Sequence, residues 1–185
     1  PPKSTLFPYT TLFRSLLDQE FEMFQQFPKL DHGILVPMYF LKKAGVQSKI
    51  VCMSYGIFSY EKLMEHGLMI HKTSEALNQK TLIISSGDLS HTLTDCGPCA
   101  YHSSGEKLDL IICEAFENHS PYAPFLTKNS LIMEAEICGL NPFAIGIGAF
   151  IGRGIESTLL SYEGPFGVGY MVASIKENKN APLDH

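Results

Sequence analysis

The segment at residues 81–91, TLIISSGDLSH, constrains this chain more than any other. Residues 81–84 are typical of a buried strand, and the small residues 85–87 follow them directly. Next come the carboxylate of Asp88, the hydroxyl of Ser90 and the imidazole of His91. In an open α/β sheet, ligands bind just beyond the carboxyl ends of the strands. His91 should therefore lie at the mouth of a site. A capped turn that begins at Asp88 or Ser90 would explain the same residues without any function.

Helical and strand patterns alternate along the chain. The periodicity predicts helices over residues 16–27, 33–43, 59–78, 108–118, 129–138 and 142–151. Short apolar runs predict strands over residues 48–54, 80–85, 158–162 and 167–175. Ser59 should cap the third helix, and Gly139 should end the fifth. This alternation predicts an α/β fold with a sheet covered on both faces.

Composition limits the class of protein. The chain has 185 residues, 45% of them hydrophobic, which fits one domain with a sizeable core. A net charge of −5 and a pI near 5.8 offer no basic surface for nucleic acid. No apolar run approaches the roughly 20 residues that a membrane helix needs. Five cysteines, an odd number in an acidic chain, argue against a disulfide framework and favour a cytoplasmic protein.

Three further segments add to the one that carries His91. The first, LDHGILVP at residues 30–37, opens a helix that Asp31 or His32 would cap. The second, EAEICGL at residues 134–140, lies at a helix end. The third, LSYEGPFGVGY at residues 160–170, is rich in turn residues and leads into a final strand.

In this order, DHG, SGDLSH and SYEGPFGVGY resemble the class III (LigB-type) extradiol ring-cleavage dioxygenase family over residues 30–175. The likeness is greatest to the LigB-like domain of the AmmeMemoRadiSam system protein A, which is related to the Memo proteins. The resemblance implies a three-layer α/β/α sandwich with a mixed, mostly parallel sheet. It also implies a small aromatic, catechol-like substrate that is opened with O2 at a non-haem ferrous iron. A homo-oligomer is compatible with this interpretation.

The start of the chain looks foreign to this family. Residues 5–15 match the translation of a common sequencing adapter, so we expect residues 1–15 to be non-native and residues 177–185 to be a polar tail. Residues 16–176 would then be the C-terminal two-thirds of the domain. In the family, two metal-binding histidines come from early segments, and no histidine precedes His32 here. We therefore expect an N-terminally truncated, inactive chain with no bound iron or zinc.

The resemblance suggests a remaining metal ligand near residues 136–138. Cys138 followed by glycine looks like the Memo pattern, whereas Glu136 is the carboxylate alternative that the ring-cleaving enzymes suggest. A carboxylate suits ferrous iron and O2, and a thiolate suits zinc or copper better. Without a metal, Glu136 would face solvent and Cys138 would pack at a helix end.

The resemblance also suggests catalytic residues. His91 is the candidate acid/base, with Asp88 or Ser90 holding its ring, and His32 is the companion that orients the substrate. Such work needs a group that titrates near the operating pH and lies within hydrogen-bond reach of the substrate hydroxyl. Two hypotheses follow: an extradiol-type dioxygenase, or a Memo-like protein that binds a metal or ligand and cleaves no ring.

The CGPC tetrapeptide at residues 96–99 matches the redox signature of thioredoxins. That chemistry needs a helix directly after the cysteines, whose N-terminus stabilises the thiolate. The residues that follow, AYHSSG, have weak helix signals. The preferred interpretation is a loop that carries two thiols.

Overall fold

The computed structural model describes residues 31–180. The predicted helix at 16–27, the foreign-looking start and the last five residues lie outside this range. The described elements are five α-helices and one antiparallel hairpin: α1 (His32–Lys43), α2 (Tyr60–Ala76), α3 (Ser103–Glu117), α4 (Asn129–Glu134), α5 (Leu140–Gly148), β1 (Ile155–Glu163) and β2 (Tyr170–Glu177). Short 3-10 helices cover Ala123–Leu126 and Pro165–Gly167. The described part of the chain is therefore α/β, as predicted.

Side-chain caps explain where α1 and α2 begin. The Asp31 carboxylate accepts a hydrogen bond from the Ile34 backbone N–H at 3.1 Å, and the Ser59 hydroxyl accepts one from the Lys62 N–H at 3.3 Å. Each bond satisfies a backbone donor that the helix leaves unpaired. Both predictions are confirmed, with Asp31 rather than His32 as the first cap.

The predicted strands at 48–54 and 80–85 run without a β-ladder within residues 31–180. Leu82 is 78% exposed and Ile84 is 47% exposed. A strand, unlike a helix, depends on a neighbour for its backbone hydrogen bonds, and no strand in the described range lies beside these segments. The one ladder described here is antiparallel, with Ile155 opposite Glu177 and an irregularity between Leu159 and Ser161.

The predicted role of Gly139 as a helix end is wrong. Helix α4 already ends at Glu134, and the left-handed backbone falls on Glu136, whose φ is 50°. Gly139 has an ordinary φ of −76° and starts α5 instead. A glycine is needed there for space, because a Cβ would lie 2.7 Å from the Asp88 carbonyl oxygen.

The core is centred on Leu89, which is fully buried. Around it pack buried residues of α3, of α5 and of the turn after α4: Leu108, Ile112, Phe116, Ala135, Leu140 and Ile147. Because Leu89 is fixed in this way, its neighbours Asp88 and His91 are held at the edge of the core, and Ser90 is fully buried. None of the helices between residues 31 and 180 combines the length and the apolar character that a membrane span requires.

Candidate functional site

The segment at residues 88–93 is held by backbone donors that reach several parts of the chain. Five of its backbone N–H groups each donate a hydrogen bond to a different partner. The bonds run from Asp88 to Cys138 Sγ at 3.2 Å, from Leu89 to Gly169 O at 2.8 Å, from Ser90 to Asp109 Oδ1 at 2.9 Å, from His91 to Ala135 O at 3.0 Å and from Leu93 to Gly167 O at 3.1 Å. These bonds fix the backbone that carries Asp88 and His91.

Asp88, His91 and Cys138 present their ligand atoms to one point. A carboxylate oxygen, an imidazole nitrogen and the thiol sulfur all lie within 4.8 Å of one another. His91 Nε2 is 3.6 Å from Asp88 Oδ2 and 4.0 Å from Cys138 Sγ. The side chains of His91 and Asp88 are 24% and 38% exposed, so the group is open to small molecules.

Cys138 reaches this point because its loop is bonded directly to the Asp88 backbone. Asp88 N–H donates to the sulfur, and Gly139 N–H donates to the Asp88 carbonyl at 2.8 Å. The thiol in turn faces that carbonyl at 3.7 Å. Glu136, the carboxylate alternative, is exposed and is not a member of the donor group. Of the two predicted metal ligands, the structure places only Cys138 beside His91.

The position of Asp88 differs from the one expected of a residue that orients a catalytic histidine. Such a carboxylate normally holds one ring nitrogen while the other faces the substrate. Here Asp88 and Cys138 both face the same nitrogen, Nε2. This convergence is typical of donors that share a metal ion, and thiolate, imidazole and carboxylate are all ligands of zinc and iron.

His32 lies outside this donor group. It is exposed and is the first residue of α1. The start of α1 is close to the site-bearing segment, since a Cβ built on Gly33 would lie 3.8 Å from the Ser86 hydroxyl. The convergence of the His32 and His91 side chains on one pocket stays a prediction.

Tyr55 is a neighbour of the site that the sequence did not indicate. Its hydroxyl donates to the Cys138 carbonyl at 3.5 Å. Burial raises the pKa of Tyr55, and negative charge at Cys138 and Asp31 raises it further. Tyr55 therefore contacts the Cys138 loop. It directly follows the predicted strand at 48–54, and this position at a strand's carboxyl end is the signal that could have found it.

Asp109 is a second residue that the sequence did not indicate. It is 1% exposed and accepts hydrogen bonds from Ser90 N at 2.9 Å, Ser90 Oγ at 2.9 Å and Tyr162 Oη at 2.8 Å. Burial raises the pKa of Asp109, although these hydrogen bonds act in the opposite direction. Tyr162 belongs to the SYEGPFGVGY segment, so Asp109 connects two of the diagnostic motifs through one carboxylate.

Comparisons with known proteins identify the class of this domain. The family model described as the catalytic LigB subunit of aromatic ring-opening dioxygenase matches residues 11–173. The chain therefore belongs to the LigB family, as the motifs predicted.

Two curated relatives are considerably longer than this chain. A protein of Clostridium acetobutylicum is 36% identical over 151 residues, which cover 82% of this chain and 32% of that protein. A MEMO1 family protein of Methanococcus vannielii is 29% identical over 140 residues, which cover 71% of this chain and 45% of that protein. The chain thus spans less than half the length of either relative.

Proposed function

We propose that Asp88, His91 and Cys138 form a metal-binding group in a LigB-type oxidoreductase that acts on a catechol-like aromatic substrate with O2. The observation that supports this most strongly is the convergence of three chemically different donors within 4.8 Å. In this proposal, residues 48–54 and 80–85 would be strands of a mostly parallel sheet in a three-layer sandwich. The group would then lie beyond the strand ends, where such sheets bind ligands.

Each residue of the group has a definite role in this proposal. Cys138 supplies a thiolate whose position is fixed by the Asp88 N–H. His91 supplies Nε2, and Asp88 supplies a carboxylate oxygen. When bound, a ferrous ion would provide a Lewis-acidic centre for the substrate hydroxyls and a site for O2, with zinc or copper as alternatives. Tyr55, which contacts the Cys138 carbonyl, would orient the substrate, together with His32 if its side chain converges on the same pocket.

This division of roles differs from the one that the family resemblance suggested. That interpretation made His91 the acid/base, with Asp88 or Ser90 holding its ring, and left Cys138 or Glu136 as the remaining metal ligand, so it predicted no metal bound to this chain. In contrast, three donors at one point support the expectation that this chain binds a metal ion, because a catalytic zinc-type site needs three protein ligands and one open position.

A Memo-like protein that binds a metal or ligand without ring cleavage is the second candidate. The thiol of Cys138 favours this candidate. Cys138 belongs to the donor group, whereas the ring-cleaving interpretation expects the Glu136 carboxylate there. A thiolate makes a softer site that suits zinc or copper better than ferrous iron with O2.

The test begins with Co²⁺, which reports thiolate ligation through its absorption spectrum. We expect one ion per chain under anaerobic, reducing conditions, measured in a Cys96→Ser/Cys99→Ser background to remove competing thiols. Cys138→Ser should abolish the sulfur-to-cobalt absorption. His91→Ala and Asp88→Asn should each weaken binding by more than the roughly 10- to 100-fold that loss of an outer hydrogen-bond partner costs. Glu136→Gln is the matched control and should bind as the parent does.

The variants also separate the two assignments of His91. Unchanged metal affinity in His91→Ala, with turnover reduced by about 10²- to 10⁴-fold, would restore its role in proton transfer. Unchanged binding in Cys138→Ser would overturn the site altogether. O2 uptake by the iron-loaded protein with a panel of catechols would support the dioxygenase. Bound metal without O2 uptake would support the Memo-like candidate.

A further inference from the structure

The loop after His91 is closed by a series of nested contacts. At its base, His102 N–H donates to the Thr92 carbonyl at 3.0 Å. Further along, Tyr101 N–H donates to the Asp95 carboxylate at 3.3 Å. Cys96 and Cys99 lie inside this second contact along the chain. The loop therefore folds back on itself and carries both thiols near its tip.

The tip is compact enough for the two sulfurs to meet. Gly97 N–H donates to the Thr94 carbonyl at 3.2 Å, and the chain bends at Gly97, Pro98 and Cys99. This hydrogen bond closes a turn over residues 94–97, and the chain then bends again through both residues that separate the cysteines. A disulfide spans Cα separations of about 4.4–6.8 Å. A chain that bends in this way can bring positions 96 and 99 within that range. Pro98 limits the conformations that the open form can adopt.

The two thiols also differ in accessibility. Both are free, and Cys96 is exposed whereas Cys99 is half-buried. An attacking reagent reaches Cys96 first, and Cys99 is then placed to react with the product. No α-helix begins at these cysteines, because α3 starts only at Ser103. The pair therefore lacks the helix that activates a thioredoxin-type thiolate, and its chemistry depends on proximity.

From the nested loop and the paired thiols, we infer that Cys96 and Cys99 form a reversible intraloop disulfide by exchange with a low-molecular-weight disulfide. The Cys96 thiolate attacks one sulfur of the reagent, breaks its S–S bond and releases one small thiol. The Cys99 thiolate then attacks the Cys96 sulfur and releases the second small thiol. The two protein protons leave with the two released thiols. The protein dithiol is oxidised, and the reagent is reduced.

Of the other cysteines, Cys113 is buried, whereas Cys138 is exposed and Cys52 is half-buried. Burial raises the pKa of Cys113 to about 11, so at neutral pH it is almost entirely the unreactive thiol. The thiol of Cys138 faces the Asp88 backbone at the donor group, a separate place from the loop tip. Cys52 is half-buried and lies in the extended segment before α2.

Tryptic mapping gives a direct test, because cleavage after Lys80 and Lys107 yields one peptide with Cys96 and Cys99 and no other cysteine. The 185-residue protein is equilibrated with glutathione disulfide at neutral pH, and free thiols are then alkylated. We expect this peptide to lose two hydrogens, to take up no alkylating reagent and to carry no glutathione. Dithiothreitol should restore both thiols.

Single variants make the inference falsifiable. Cys99→Ser should trap one glutathione on Cys96, whereas Cys52→Ser, the matched control outside the loop, should close the disulfide as the wild type does. Circular dichroism of each variant checks that the fold is retained. The inference fails if the wild type accumulates the same glutathione adduct as Cys99→Ser, or if Cys96 pairs with a cysteine of another peptide.

Discussion

Replacing Asp109 by asparagine tests how the segment that carries the site is held in place. The change keeps the shape of the side chain and removes its charge. Asparagine oxygen can still accept from the Ser90 N–H, but the amide NH2 then faces two hydroxyl groups that donate to the carboxylate in the wild type. The hydroxyl groups of Ser90 and Tyr162 must therefore turn to accept from the amide, and their two hydrogen bonds to a charged acceptor are lost.

The expected cost follows from these contacts and from burial. A hydrogen bond to a charged group contributes about 1.5–3 kcal/mol. Burial opposes this contribution and is the larger effect on the pKa of Asp109, which is raised, so the neutral amide avoids a desolvation penalty. The remaining cost comes from turning the two hydroxyl groups toward an amide that cannot accept from them. We expect Asp109→Asn to lower the free energy of unfolding by about 2 kcal/mol, a large share of the roughly 5–15 kcal/mol of a typical domain. Asp109→Ala also leaves the Ser90 N–H unpaired and should cost about 3–5 kcal/mol.

Urea unfolding at neutral pH, followed by circular dichroism, measures these differences. Tyr162→Phe removes one of the three hydrogen bonds and should cost about 1–2 kcal/mol. Glu114→Gln, an exposed change on the same helix, is the matched control and should stay within about 0.5 kcal/mol of the wild type. If Asp109→Asn and Tyr162→Phe both unfold at the wild-type urea concentration, the carboxylate does not anchor this segment.

Three further predictions use the same assay or a simple variant of it. Gly169→Ala should destabilise the protein by more than about 2 kcal/mol, because its Cβ would overlap the Asp109 carboxylate; wild-type stability would show that the two segments can move apart. The pKa of Asp109 is raised, so its ionisation opposes folding, and the wild type should gain stability relative to Asp109→Asn as the pH falls from that raised pKa toward the ordinary aspartate range. If the difference in unfolding free energy between the two proteins did not change with pH, this prediction would be wrong. Arg153 contacts Glu75 at 3.0 Å and Glu177 at 3.3 Å. Arg153→Lys should therefore lower the melting temperature slightly at low salt and less at high salt. An equal decrease in melting temperature at low and high salt would rule out an ionic cause.

The helices could be predicted because their determinants are local. Asp31 and Ser59 are caps that act within three residues, and the apolar spacing of each helix is visible in its own sequence. The end of α4 was predicted wrongly for a non-local reason. Position 139 requires glycine because a larger residue would collide with the Asp88 carbonyl, which lies fifty-one positions earlier in the chain. The local sequence patterns that predict helix ends do not include such a distant contact.

The site was only partly predictable for a related reason. His91, Asp88 and Cys138 stand in motifs that a reader can recognise, but Asp109 occurs in an ordinary helical stretch. A charged residue in such a pattern is normally assigned to the solvent-exposed face. Its burial depends on hydrogen-bond donors from Ser90 and Tyr162, which come from two distant segments. Only the three-dimensional structure brings these residues together.

The unpaired extended segments and the ordered site have one physical explanation. Backbone groups in a helix find partners within the helix, whereas those in a strand depend on a neighbouring strand. Residues 80–85 have no such neighbour in the described range, yet residues 88–93 are fixed by bonds to the Cys138 loop, Asp109 and the Gly167–Gly169 turn. The donor group therefore depends on these connections more than on a β-ladder. For this reason we expect the Asp88, His91 and Cys138 group to keep its geometry in the present chain.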